Sequence, residues 1–255
     1  MTATDVHTRY LERLLDQPDF DLLRKNRISA IVNGSSADSR VDSNSDWDYK
    51  IFVEEADIRP FVERHGEKFS LSDNTHDPKV FVMIRPFGYL ESELESTLAI
   101  TLWICEKAKV LRDDGGSFQQ RVSKYRAKFE STLPEQLQHK YLKLRTRRHG
   151  IDGVVKRSDA LAARMLAQDC IKISLQILHL VHGKTYPYPQ WLYKVSADEY
   201  SQSYSETFGT IKALGLELEA SQIQAWSRKL VGNMIDIMVA KGFDRLRLER
   251  WWEYI

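Results

Sequence analysis

The chain reads as an α+β protein: a small mixed β-sheet with flanking helices in residues 1–115, followed by a helical bundle in residues 116–255. Three observations predict this. Apolar runs of strand length, Ile28 to Val32, Tyr49 to Val53 and Val80 to Ile84, punctuate the first half and are bounded by turn residues. Beyond Gly116 the apolar residues recur instead at helical spacing over long stretches. Between the two lies Arg112-Asp113-Asp114-Gly115-Gly116, a polar glycine loop, and the domain boundary is placed there.

Taken in order, Thr4 to Leu15 predicts a helix with Tyr10, Leu11, Leu14 and Leu15 as its apolar stripe, ended by Gln17-Pro18. A short helix from Phe20 to Lys25 leads into the strand Ile28 to Val32. The acidic run Glu54 to Asp57 suits a helix N-terminus, and Ile58, Phe61 and Val62 form that helix's buried face before His65-Gly66. Ser70 to Pro78 is polar turn chemistry, Lys79 to Arg85 a β-type run, and Pro86-Phe87-Gly88 a turn before another strand. The expected bundle helices are Phe118 to Leu133, Gln136 to His149, Ser158 to Val181, Ser201 to Leu214 and Ala220 to Lys241. In the third of these, Ser158-Asp159 is the cap, and Leu161, Met165, Ile171, Leu175 and Leu178 form the core face. No internal repeat is visible.

Residues 33–53 carry the chemistry. Asn33-Gly34-Ser35 ends the first strand, and Asp46-Trp47-Asp48 opens the next, Tyr49 to Val53. Carboxylates separated by one residue project from the same face of a strand, because side chains alternate with period two. Such a pair is a strong site for a hard cation, and magnesium leaves its other positions to water and substrate phosphates. A glycine turn lets backbone approach a phosphate, where amides, a hydroxyl and the start of a short helix can meet it. A polar loop between two core strands is the alternative.

The segment from Gly34 to Asp48 resembles the signature of the DNA polymerase beta-type nucleotidyltransferase superfamily: Gly-Ser, a variable loop, then Ser-Asp-x-Asp before a hydrophobic strand. Ser45-Asp46-Trp47-Asp48 matches the second half residue for residue. Chain length and the helical second half are similar to the small-molecule branch that adenylylates aminoglycosides and lincosamides. Where members often carry a basic residue and a glycine, this chain has Asp38 and Ser39, and Arg40 is the candidate to restore the charge. The resemblance implies magnesium held by Asp46 and Asp48, ATP or another nucleoside triphosphate against Gly34 and Ser35, and transfer of a nucleoside monophosphate to a small hydroxylated acceptor. Two ions would be bridged by a third carboxylate.

For that third ligand, Tyr89 to Ser96 read as a strand places Glu91, Glu93 and Glu95 on one face, and Glu93 is the choice, with Glu91 next. A helix over 91–107 fits the same residues. The loop from Gly183 to Lys194, with two prolines and four aromatics, resembles a Tyr-Pro-rich loop whose lysine faces the phosphates. Gln190 stands where that lysine would be, so Lys194, or Lys184, takes its place. The general base is Glu93 or, from the bundle, Asp169. The basic run Lys140, Lys143, Arg145, Arg147, Arg148 suits a solvated helix face, or a rim that binds nucleotide phosphates or an RNA backbone.

Composition bounds the rest. With 37 Lys and Arg against 36 Asp and Glu the formal net charge is +1, which argues against a general polyanion coat. Cys105 and Cys170 lie far apart without metal or disulfide spacing, and a reducing cytoplasm is expected. The polar N-terminus predicts no signal peptide, and no apolar stretch of membrane length occurs. Histidine spacing suggests no metal site. Rival functions are a nucleotidyltransferase acting on a tRNA or a protein, and a nucleotide- or partner-binding protein without catalysis. Oligomeric state is left open.

Overall fold

The computed structural model describes residues 3–34, 46–66, 69–73 and 78–254. Compact units form over Met1–Phe129 and Glu130–Ile255. The division falls within a single 40-residue helix, Ser117–Lys156, whereas the loop at 112–116 is where that helix begins.

In the first unit five strands form one mixed sheet: β1 (Ile28–Asn33), β2 (Trp47–Val53), β3 (Ser70–Asp73), β4 (Val80–Pro86) and β5 (Lys109–Asp113), in the order β3-β4-β2-β1-β5. Strand β1 is antiparallel to β2 and β5, β3 is antiparallel to β4, and β2 and β4 run parallel. The α+β class with a mixed sheet is therefore as the sequence predicts. Alternation decides which residues are buried where. Tyr49, Ile51 and Val53 join Ala30, Val32, Val80, Val82 and Ile84 in a core covered by Leu11 and Leu14 of α1 (Ala3–Leu15), Leu23 of α2 (Asp21–Lys25) and Phe61 of α3 (Glu55–His65). The other residues of β2, Asp48, Lys50 and Phe52, face oppositely. Phe52 stacks there on Phe87, at 5.7 Å between ring centroids, and on Phe118, at 6.2 Å.

Three local expectations are corrected in this unit. Ser70 to Asp73 is the edge strand β3 and not only turn. Three of its four residues are polar, and pairing with β4, with Leu71 against the core, makes them a strand. Residues after Pro86 form α4 (Phe87–Ser96) and α5 (Leu98–Lys107), not a strand. Proline supplies an extended N-cap residue, and Phe87, Leu90 and Leu94 make a buried helical stripe. A further strand, β5, completes the sheet beside β1, and its last residue starts the long helix. The Asp113 carboxylate accepts the Phe118 and Gln119 amides at 3.0 and 3.1 Å and the Ser29 hydroxyl at 2.5 Å.

The long helix α6 (Ser117–Lys156) passes through Pro134, where two helices separated by a break are expected from sequence. The second unit contains its later part with α7 (Ala160–Leu180), α8 (Pro189–Tyr200), α9 (Ser205–Leu216), α10 (Ala220–Ala240) and α11 (Arg245–Glu249). Helix α7 packs against α8, α9 and α10, and every residue from Ile173 to Leu180 is buried. Asp159 caps α7 by accepting the Ala162 amide at 2.9 Å. Leu161 and Met165, expected in the core, are instead 69% and 67% exposed, so the buried stripe begins later, with Ala163 and Ala167. Helix α8 replaces half of the expected aromatic loop. Pro189 at its first position has the dihedral a helix needs and no amide to leave unpaired. Among the described residues no helix is long and apolar enough to cross a membrane.

Candidate active site

The site is assembled at one end of the central strands. Register pairs Asn33 of β1 with Asp48 of β2, so the glycine that follows Asn33 comes beside the Asp48 side chain. Gly34 has φ +79°, and a Cβ placed on it would lie 3.0 Å from Asp48 Oδ2. Only glycine satisfies both conditions without strain. Trp47, between the two aspartates, turns to the α1 side, where its ring lies 4.6 Å from that of His7. Asp48 is thereby directed to the opposite face, half-buried, and Asp46 is exposed just before the strand. Burial pushes the Asp48 carboxyl above its usual range, the Asp46 charge pushes it the same way, and Lys50 opposes them.

Lys50 is a candidate that the motif alone does not mark, since the Ser-Asp-x-Asp pattern ends at Asp48. The period-two rule that puts Asp48 and Lys50 on one face of β2 extends the acidic spacing from Asp46, just before the strand, into an acid-acid-lysine series at alternate positions. An ammonium beside two carboxylates is suited to a triphosphate-metal complex, whose charge is distributed over both signs.

Ser35 and Arg40 lie outside the described residues, as do Asp38 and Ser39. Glu93 is exposed on α4, a helix, so the strand face expected to hold it does not exist. In a helix Glu91 and Glu95 share a side while Glu93 turns away. Glu91 binds Arg121 Nε at 3.0 Å, and Glu95 accepts from Tyr125 at 3.0 Å and from Lys128. Among the described residues no three His, Cys, Asp or Glu side chains come together to hold a metal, so Asp46, Asp48 and Glu93 do not form the three-carboxylate set expected.

In the helical unit, Lys194 is exposed on α8 and lies 5.5 Å above the Trp191 ring. Lys184 pairs with Glu199 at 3.0 Å. Asp169 pairs with Arg147 at 3.1 Å and Lys172 at 3.3 Å, which makes it part of a helix-surface ion pair and not a poised base. The basic run is less solvated than its composition suggests. Lys140 Nζ donates to Gln176 at 2.8 Å, and Arg145 donates to Leu248 O at 2.9 Å.

Residues 95–192 match the family model described as Domain of unknown function (DUF4037). No curated protein matches the chain. Among solved structures, the fold is similar to the crystal structure of a nucleotidyltransferase-like protein from Exiguobacterium sibiricum 255-15, with a TM-score of 0.55 and 11% identity. That alignment covers 92% of this chain and 78% of the other. At such identity the shared feature is the fold.

Proposed function

We propose that the protein is a magnesium-dependent nucleotidyltransferase that moves a nucleoside monophosphate, AMP from ATP, to a hydroxyl of a small molecule of the aminoglycoside or lincosamide kind. The observation that carries this is the approach of Gly34, at positive φ, to the carboxylate of Asp48, so close that a Cβ on Gly34 would crowd it, two residues from Asp46. Around it stand the Ser-Asp-x-Asp sequence and a fold similar to a nucleotidyltransferase-like protein.

The donor set suits a hard cation: it is all oxygen, it carries like charges that repel when no cation is present, and it leaves positions for phosphate and water. Asp46 and Asp48 would hold the ion, and Lys50 and the Gly34 turn would receive the triphosphate. Magnesium, when bound, supplies charge neutralisation for the triphosphate. The acceptor hydroxyl oxygen bonds to the α-phosphorus while the bond to the bridging oxygen breaks. Pyrophosphate departs with that electron pair, and the hydroxyl proton passes to solvent. What the protein contributes is alignment and electrostatics.

Two measurements test this. With labelled nucleoside triphosphates, magnesium and panels of hydroxylated antibiotics, RNA and protein, pyrophosphate release should require a small hydroxylated acceptor. Label found only on RNA or protein would transfer the acceptor to a macromolecule, and no release with any acceptor would reject catalysis. Asp48→Asn should lower turnover at least about 10³-fold, the loss of several kcal/mol of charge stabilisation. Because the folded state disfavours the ionised Asp48, the metal-free variant should melt no lower than wild type. Magnesium should raise the wild-type Tm and leave that of the variant unchanged. Wild-type turnover in Asp48→Asn would rule the site out.

A further inference from the structure

An open concavity in the helical unit is lined by Arg145 and Arg148 of α6, Arg228, Val231, Gly232 and Ile235 of α10, and Glu249, and has a volume of about 250 Å³. Three guanidinium groups border it. Asp152 lies against two of them: it accepts Arg148 Nη2 at 2.8 and 2.7 Å and Arg228 Nη2 at 3.0 Å, and Gln224 also donates to it at 2.5 Å. Arg145 donates to neutral oxygens instead, the Tyr141 hydroxyl at 2.7 Å and Leu248 O at 2.9 Å. Glu249 is 3.6 Å from Arg245, which also holds Asp236 at 2.6 Å. The lining therefore keeps an excess of positive charge. The Arg148 side chain is only 18% exposed, and its Nε is buried and makes no hydrogen bond among the described residues. Asp152 offsets part of this charge, but Arg145 makes no ion pair among the described residues, and an excess of like charge beside a buried, unsatisfied donor costs stability that a further anion would relieve.

The floor of the concavity is equally specific. Gly232 lies in the interior of α10, where glycine lowers helix stability relative to alanine. A Cβ added there meets no atom within 4 Å, so nothing in the packing excludes a side chain. A larger residue would extend into open space at the site.

We infer that this concavity binds the phosphate group of a phosphorylated ligand, held by Arg145, Arg148 and Arg228 over Gly232. Guanidinium forks match phosphate oxygens in geometry as well as charge. The volume lies below the range of about 300–1,000 Å³ typical of pockets for whole drug-sized ligands, which suits one anionic group with its remainder outside. A small phosphoester and a nucleic-acid backbone present the same group, and the experiment distinguishes them.

Inorganic phosphate is titrated into the full chain by calorimetry at low ionic strength with a chelator present. Saturable binding is expected, at least tenfold weaker in Arg228→Gln and in Gly232→Met. Both variants should keep the wild-type circular dichroism and melt no lower than wild type, since Arg228 is at the rim, its removal relieves like-charge repulsion, and methionine favours helix more than glycine does. Asp48→Asn should bind phosphate as wild type does, which separates this site from the transfer chemistry. Competition with a short single-stranded RNA assigns the source: displacement by phosphate indicates backbone phosphates, and no RNA binding indicates a small phosphorylated molecule. Absence of saturable binding at millimolar phosphate, or binding unchanged in both folded variants, overturns the proposal.

Discussion

At the scale of single residues, the candidate site depends on one glycine and one carboxylate that the sequence separates by thirteen intervening residues and the β1–β2 register brings together. Gly34→Ala tests that contact. An alanine at φ +79° costs about 1–2 kcal/mol from backbone sterics, and its Cβ would crowd Asp48 Oδ2 at 3.0 Å. Denaturant titration should show this loss, and the proposed function adds a fall in nucleotide transfer in an activity assay; a variant as stable as wild type would place the turn elsewhere. Asp46 and Asp48 are legible from their spacing because strand alternation is a local rule. The expectation of a third carboxylate has no such local support, because the choice among Glu91, Glu93 and Glu95 depends on whether those residues form a strand or a helix. Their alternation with Leu90 and Leu94 fits both periods, and only the packing of Phe87, Leu90 and Leu94 decides for helix.

Among elements, those with long periodic faces match their sequence expectation and those made by pairing do not. Helix α10 and strands β1, β2 and β4 carry their own apolar pattern. Strands β3 and β5 are short and acquire strand structure from neighbours: β5 has no fully buried residue, yet it pairs with β1 through a register shift between Ala30 and Ile31. Asp113, at its end, illustrates the dependence. It appears in sequence as part of a polar loop, and in the fold it joins β1 to the start of α6 through three hydrogen bonds. Asp113→Ala should destabilise the protein by about 1–3 kcal/mol, combining a lost helix-terminal acceptor with a lost side-chain bond. Asp113→Asn, which keeps an acceptor oxygen, should recover most of it. Equal denaturation midpoints for wild type and alanine variant would show that neither contact matters.

For the molecule as a whole, each unit holds a buried histidine whose neutral form is favoured. His7 bonds the Tyr49 hydroxyl at 2.8 Å, and His179 bonds Ser196 at 3.0 Å. Burial pulls His7 below its ordinary range, with Lys109 adding to the effect. It pulls His179 down to about 4, with Lys184 and His182 acting the same way against Glu199. The unfolded chain then takes up protons, from near pH 6.5 downward, that the folded chain refuses. Stability should therefore fall as pH drops from 6.5 toward 4, by about 2 kcal/mol from His179 alone at pH 5. An NMR titration should find the His179 ring still neutral at pH 5 while denaturation midpoints decline; a protonated ring at that pH would refute the assignment. By itself the sequence determined the α+β class, the sheet-then-helices order and the Asp-x-Asp pair, all of which follow from periodicity and spacing along a few neighbouring residues. Tertiary structure alone decided the sheet order, the choice between strand and helix for residues 87–107, the approach of Gly34 to Asp48 and the gathering of Arg145, Arg148 and Arg228. Those depend on contacts between residues far apart in the chain, which no local pattern encodes.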